Sequence, residues 1–259
     1  MLNGLVPHWH YLWLVTASLI AGVMNAMAGG GSFVSFPAML TMGIAPIQAN
    51  ATNTVALWPG QVTSVTALRH DLRRDLLPVV LAASVLGGVG GAVLLLHTRQ
   101  ITFLHMVPWL LLVASVLFGL SGPVGRWLKA RSDQPHKERS GGKLALFFAL
   151  LPVCLYIGYF GAGAGFLIMT ALALFGLEKM HELNALKVTA ACLSNLSAVV
   201  TFIFGGAIVW HYCLLSMIFA GVGGYVGALY ARRMNANVLR TIVVVTGCAM
   251  AAYFFWRNG

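Results

Sequence analysis

Two glycine-rich breaks sit at matching places inside apolar stretches. The first is Asn25-Ala-Met-Ala-Gly-Gly-Gly-Ser-Phe33 and the second is Gly158-Tyr-Phe-Gly-Ala-Gly-Ala-Gly-Phe166. Each is followed by a short apolar run that ends at a glycine, Gly43 or Gly176. Each apolar stretch is therefore predicted to split into a long helix and a short one. Other apolar stretches reach about 20 residues, the length that crosses a hydrocarbon core. The chain is 59% hydrophobic and only 8% charged, with a mean hydropathy of +0.84. A soluble domain of this size carries far more charge. In lipid, every backbone polar group must be satisfied internally, so the fold class predicted is all-α, a polytopic transmembrane bundle.

Five apolar elements precede a polar stretch and five follow it. The first set spans about 9–28, 31–43, 48–68, 76–97 and 102–121; the second spans about 143–160, 164–176, 183–204, 210–231 and 238–256. The two sets align in order. Gly30 matches Gly163, Phe33 matches Phe166, and Asn50-Ala-Thr-Asn-Thr54 matches Asn184-Ala-Leu-Lys-Val188. Gly87-Gly-Val-Gly-Gly-Ala92 matches Gly223-Gly-Tyr-Val-Gly-Ala228. This is an internal repeat. It divides the chain into a first transmembrane repeat, 1–121, a basic linker, 122–142, and a second repeat, 143–259.

Charge sets the expected orientation. Six of the 16 basic residues fall between Arg126 and Lys143, so that linker is expected in the cytoplasm. If all five elements of each half cross, the second half is inverted relative to the first. Arg69, Arg73, Arg74, Lys179, Arg232, Arg233 and Arg240 then lie on the linker side, and only Arg99 and Arg257 lie opposite. Both termini would lie outside. If the short elements re-enter instead, the halves are parallel and four of those basic residues change sides. The positive-inside rule favours the inverted repeat. Its difficulty is length: about 13 residues of helix span about 20 Å. Those elements must be shielded by protein or line a wet cavity. Gly87, Gly88, Gly91, Gly221, Gly224 and Gly227 are spaced for close helix contact.

A helix that starts inside the membrane leaves unpaired N–H groups that attract anions. Gly29, Gly30, Gly31 and Ser32 precede one short helix; Gly163, Ala164 and Gly165 open the other. The third elements add amides and hydroxyls, including Asn50, Asn53, Thr54 and Gln61 in the first half and Lys187 and Asn195 in the second. Polar groups in lipid should face the bundle interior. Lys187 is expected about one turn inside the membrane, with Glu182 or an anionic substrate as its partner. These 13 residues form the predicted substrate-binding set. Short, glycine-interrupted segments at corresponding positions of two halves mark the binding site of a transporter.

Other chemistry is poorly represented. Cys154, Cys192, Cys213 and Cys248 are scattered singly, with no metal or redox spacing. Carboxylates are confined to loops and element ends. Gly161-Ala-Gly163-Ala-Gly165 lacks the strand–helix context and acidic partner of a dinucleotide loop. No enzyme activity, metal or cofactor is expected. The net charge of +10 follows from the linker and not from a nucleic-acid surface, so no nucleic-acid partner is expected.

Ala21-Gly-Val-Met-Asn-Ala-Met-Ala-Gly-Gly-Gly-Ser32, Pro37 and Ala49-Asn-Ala-Thr-Asn-Thr54 resemble the first half of TauE/SafE-type sulfite exporters. Gly158 to Phe166, Asn184-Ala-Leu-Lys187, Asn195 and Gly205-Gly-Ala-Ile-Val-Trp210 resemble the second half. The second break departs from the pattern in carrying Ala162 and Ala164. The resemblance implies a multi-pass protein of the bacterial inner membrane that transports small anions, sulfite or an organosulfonate such as sulfoacetate. The expected partners are that anion and the lipid bilayer, with a homodimer left open. The alternatives are another solute class, a carboxylate or a divalent metal, or a non-transporting membrane scaffold. Metals call for His, Cys or carboxylate ligands, which the two constellations lack; a scaffold predicts polar residues paired with one another.

Overall fold

A computed structural model describes residues 8–28, 30–132, 142–175, 177, 179–230 and 236–258. Gly29 of the predicted site, and 133–141 of the linker, lie outside the described residues. Ten α-helices and no strand occur among them. They are α1 (His8–Ala28), α2 (Ser32–Thr41), α3 (Pro46–Leu68), α4 (Leu77–His97), α5 (Gln100–Ser132), α6 (Lys143–Tyr159), α7 (Ala164–Leu174), α8 (Met180–Phe204), α9 (Trp210–Tyr230) and α10 (Ala236–Asn258). One 3₁₀ turn, Arg69–Asp71, follows α3. α5 runs to Ser132, well into the stretch read as linker. Among the described residues, α4, α8 and the Gln100–Leu120 part of α5 are long and apolar enough to cross a membrane. Leu81, Leu86, Val113, Phe148, Ile218 and Tyr225 are exposed outward, where lipid replaces water as solvent.

Helix contacts come in exchangeable pairs. α4 packs on α6 as α9 packs on α1; α4 meets α8 as α9 meets α3; α5 meets α7 as α10 meets α2. Glycines make the first two contacts close. A Cβ on Gly91 would fall on the carbonyl oxygen of Leu155, and one on Gly223 on that of Leu19. A Cβ on Gly87, Gly88 or Gly227 would also come too close, 2.5, 2.4 and 2.8 Å from its nearest neighbour. Gly221 departs from its predicted packing role: a Cβ there meets nothing within 4 Å.

The direction of each helix follows from its neighbours. The 3₁₀ turn after α3 packs on α8, while Thr52 near the start of α3 accepts a hydrogen bond from Val209 N, just past the end of α8, at 3.1 Å. α3 and α8 are therefore antiparallel. Tyr11 packs on Tyr212, and Val23 lies against Gly227, so α1 runs parallel to α9. α1 penetrates to the level of Gly60, which Asn25 approaches. At Gly30 and Gly31 the chain reverses, and α2 returns to the end it came from, where Gln100 caps Ile47 N of α3 at 3.0 Å. α6 and α7 form the matching hairpin from the other end. This corrects the expectation that every element crosses. About 10 residues of α2 cannot span the core, and α1 with α2 enters and leaves on one side.

The two ends differ in composition. Arg69, Arg73, Arg74, Lys143 and Lys179 lie at the end of α3 and the starts of α6 and α8. Exposed Trp9, Trp210 and Trp256 mark the opposite end, as aromatic residues do at membrane interfaces. On that side Phe36, Phe103, Tyr159 and Phe160 form a buried cluster with ring centroids 5.8 to 6.4 Å apart.

Candidate functional site

The polar residues converge where α3 crosses α8. Asn195 Nδ2 donates to Gln61 Oε1 at 3.0 Å, and Trp58 Nε1 donates to Cys192 O at 3.2 Å. Both pairs are 134 residues apart, the same offset that matches Asn50 with Asn184. Pro59 and Gly60 lie between these contacts on α3. Pro59 lacks the N–H that would bond to the preceding turn, which frees backbone at the crossing. Each break lies beside it. A Cβ on Gly60 would stand 3.6 Å from Asn25 Nδ2, and one on Gly161 would stand 3.8 Å from Asn195 Oδ1.

The second break is built by two left-handed glycines, Gly161 (φ 79°) and Gly163 (φ 74°), a conformation other residues rarely adopt. Tyr156 OH donates to Ala162 O at 2.7 Å and holds the bend. α7 then begins at Ala164 with no side-chain cap, so its first N–H groups lack intrahelical acceptors. The stem of Lys187 lies over this turn, its Cδ 3.7 Å from where a Cβ on Gly165 would be. Lys187 is half-buried, about 10 Å along α8 from Met180. Among the described residues it has no hydrogen bond or ion pair. Glu182, its expected partner, instead pairs with Lys179 at 3.1 Å. Lys179 is the nearer cation, one turn away on the same helix face.

The first break is arranged differently. Gly30 and Gly31 are buried, Gly30 against Val243 and Gly31 against Ala21. Ser32 is half-buried. Ser35, in a run read as apolar, bonds Asn53 across to α3. Asn50 Nδ2 donates to Tyr159 O at 3.1 Å, and Thr54 Oγ1 to Asn50 O at 2.9 Å. The structure thus brings together Gln61 with Asn195, and Gly165 with Lys187. Asn50 through Nδ2, Asn53 through Oδ1 and Thr54 through Oγ1 each have a protein partner. Ser35, Trp58 and Tyr159 were missed. Trp58 carried a usable signal, since an indole N–H buried in an apolar helix needs an acceptor.

On the linker side, a cleft of about 750 Å³ is lined by His70, Asp71, Leu72, Arg73, Lys179, Met180, His181 and Glu182. Met180 is seven residues before Lys187, on the same face of α8. Arg73 bonds Asp75 through two nitrogens, at 3.1 and 2.8 Å. That hydrogen bonding holds the Asp75 carboxyl below its ordinary range. No group of three His, Cys, Asp or Glu able to hold a metal occurs among the described residues.

The family model of the sulfite exporter TauE/SafE matches residues 14–254. A Sinorhizobium protein described as probable membrane transporter protein ORF9 is 30% identical, over 92% of this chain and 90% of its own length. Escherichia coli YfcA, also described as a probable membrane transporter, is 24% identical over 95% and 89%. A Haemophilus influenzae probable membrane transporter is 26% identical over 95% and 94%. No solved structure matches the chain. The helical bundle, its apolar belt and these matches along nearly the whole chain agree: the chain belongs to the sulfite exporter TauE/SafE family and is a membrane transporter.

Proposed function

We propose that this chain moves a small anion across the bacterial inner membrane, sulfite or an organosulfonate such as sulfoacetate, by alternating access. The observation that carries the reading is Lys187. A cation without a counter-ion lies within a membrane-crossing helix, against the uncapped start of α7. An ammonium in that setting is poorly solvated, and a bound anion offsets the cost. The first N–H groups of α7 supply directional donors for oxyanion oxygens. The cleft between His70 and Glu182 opens on the linker side, with its Met180 seven residues before Lys187 on α8, and is the entry proposed from that side.

The two halves act as inverted repeats around the α3–α8 crossing. Support comes from the exchangeable helix contacts, the antiparallel run of α3 and α8, and the bonds between residues at the repeat offset. A two-fold axis in the membrane plane requires such equivalents to meet. Each half then makes three crossings plus one hairpin, an odd number of passes, with both termini opposite the linker. Basic residues near the linker favour the cytoplasm for that side.

The test is anion binding at fixed salt and pH. Lys187→Met should weaken sulfite or sulfonate binding more than tenfold, about 1.4 kcal/mol. Wild-type binding in a correctly folded variant would overturn the role given to the lysine. A reporter showing a cytoplasmic C-terminus would overturn the topology.

A further inference from the structure

The two crossing helices match in sequence along one face and differ in how that face is covered. At the repeat offset, Ile47, Asn50, Asn53 and Leu57 of α3 correspond to His181, Asn184, Lys187 and Ala191 of α8. All four on α3 are buried. On α8, His181 is exposed and the other three are half-buried. The α8 residues recur at helical spacing. They start at His181, which lines the linker-side cleft, and one turn beyond Ala191 stands Asn195 at the crossing. A stripe carrying Asn184 and Lys187 faces water and not lipid. The stripe is therefore closed on α3 and open on α8.

One bond fastens the closed stripe across the two halves. Tyr159 ends α6, so its carbonyl lacks an intrahelical donor, and Asn50 Nδ2 donates to it at 3.1 Å. The rings of Phe36, Phe103, Tyr159 and Phe160 pack on the same side. The alignment of Gly30 with Gly163 sets Ala26 at the position of Tyr159. Ala26 lies in the last turn of α1, where carbonyls also lack intrahelical donors. Asn184, the counterpart of Asn50, is half-buried and has no hydrogen bond among the described residues. We infer that Asn50 and Asn184 are reciprocal latches. Asn50 holds the passage shut on the side opposite the linker. Asn184 shuts the linker side by donating to Ala26 O when the first side opens. The inference rests on the inverted-repeat, alternating-access reading above. Under a two-fold axis, each contact that closes one side has a counterpart that closes the other, and alternating access makes them in turn. Losing one latch shifts the population toward the state held by the other.

The experiment labels single introduced cysteines in the full chain with a water-soluble maleimide. Mass spectrometry reads each position, so the four native cysteines do not interfere. Ile47→Cys reports opening on the side opposite the linker, and Val188→Cys reports the linker side. With no other change, Val188→Cys should label at least tenfold faster. Asn184→Ala should slow labelling of Ile47→Cys about threefold, the weight of one interhelical hydrogen bond in a membrane. Asn184→Asp, which keeps the shape and loses the donor, should do the same. Asn184 and Ile47 lie near opposite ends of the bundle, so a local packing defect at Asn184 does not protect Ile47. Asn50→Ala should speed labelling of Ile47→Cys by a similar factor. Equal labelling of the two reporters, or Asn184 variants that leave Ile47→Cys unchanged or faster, overturns the inference. These readings need no substrate, so they stand apart from anion binding. Sulfite binding that ignores Lys187→Met overturns the anion reading alone.

Discussion

Gly90 and Gly91 are neighbours on α4 and should respond oppositely to the same substitution. A Cβ on Gly90 would lie 3.9 Å from Leu155 Cδ1, an ordinary contact. A Cβ on Gly91 would fall on the backbone oxygen of Leu155 and stand 2.7 Å from Tyr159 N. Backbone cannot rotate away as a side chain can. In both variants alanine gains about 0.8–1 kcal/mol of helix propensity. Gly90→Ala keeps that gain. Gly91→Ala must part α4 from α6, an overpacking cost of about 1–3 kcal/mol or more. The two variants should therefore differ in stability by about 1–3 kcal/mol, with Gly90→Ala the more stable. At about 2–4 °C per kcal/mol for a chain of this size, their melting temperatures in detergent should differ by about 2–12 °C. Gly91→Ala should also disturb the second break, because Tyr159 precedes it directly. Equal melting temperatures for the two variants would refute the close α4–α6 approach.

Other perturbations follow from the same geometry. Gln61→Leu and Asn195→Leu should each destabilise the fold, with a coupling in the double variant of about 0.6 kcal/mol, as for other interhelical hydrogen bonds in membranes; zero coupling would mean that the two amides do not meet. Phe103→Ala removes a fully buried ring from the cluster of Phe36, Tyr159 and Phe160 and should cost about 3–5 kcal/mol, read as a lowered unfolding temperature. The Arg73–Asp75 pair should not shape pH dependence near neutrality. Its depressed carboxyl adds stability that is present above the unfolded pKa of about 3.9 and is lost only as pH falls below it. The pair is also exposed enough to be worth less than about 1 kcal/mol. Asp75→Asn should therefore leave the pH profile of unfolding flat between about pH 5 and 8 relative to wild type.

Helix positions were legible in the sequence because glycine and proline punctuate them. The break at Gly158–Phe166 appears as two left-handed glycines, and Pro46 opens α3 where the apolar run resumes. Polar third elements also announced where the interior lies, since amides in lipid turn inward, and Gln61 and Asn195 meet there. The hairpin of α1 and α2 was not legible. Length alone says that α2 is short; only Tyr11 on Tyr212 and Val23 on Gly227 tell how far α1 has travelled before it stops. Partner choice was equally hidden. Ser35 reads as filler in an apolar run, yet it captures Asn53, and Lys179 takes Glu182 away from Lys187. Such pairings depend on helix rotation by one or two residues, which periodicity in a uniformly apolar helix leaves free.

The bond between Gln61 and Asn195 joins positions at the repeat offset. A contact of that kind behaves like the centre of a self-complementary interface, where one patch must recognise its own copy. In an assembly of two identical five-helix units, any residue on that seam would face itself. A lysine at the Asn53/Lys187 position would then appear twice, once in each unit. Encoding the units in one chain removes that obligation. The seam can keep matching amides while positions farther along the two helices specialise, Asn53 against Ser35 of α2 and Lys187 against the turn at Gly165.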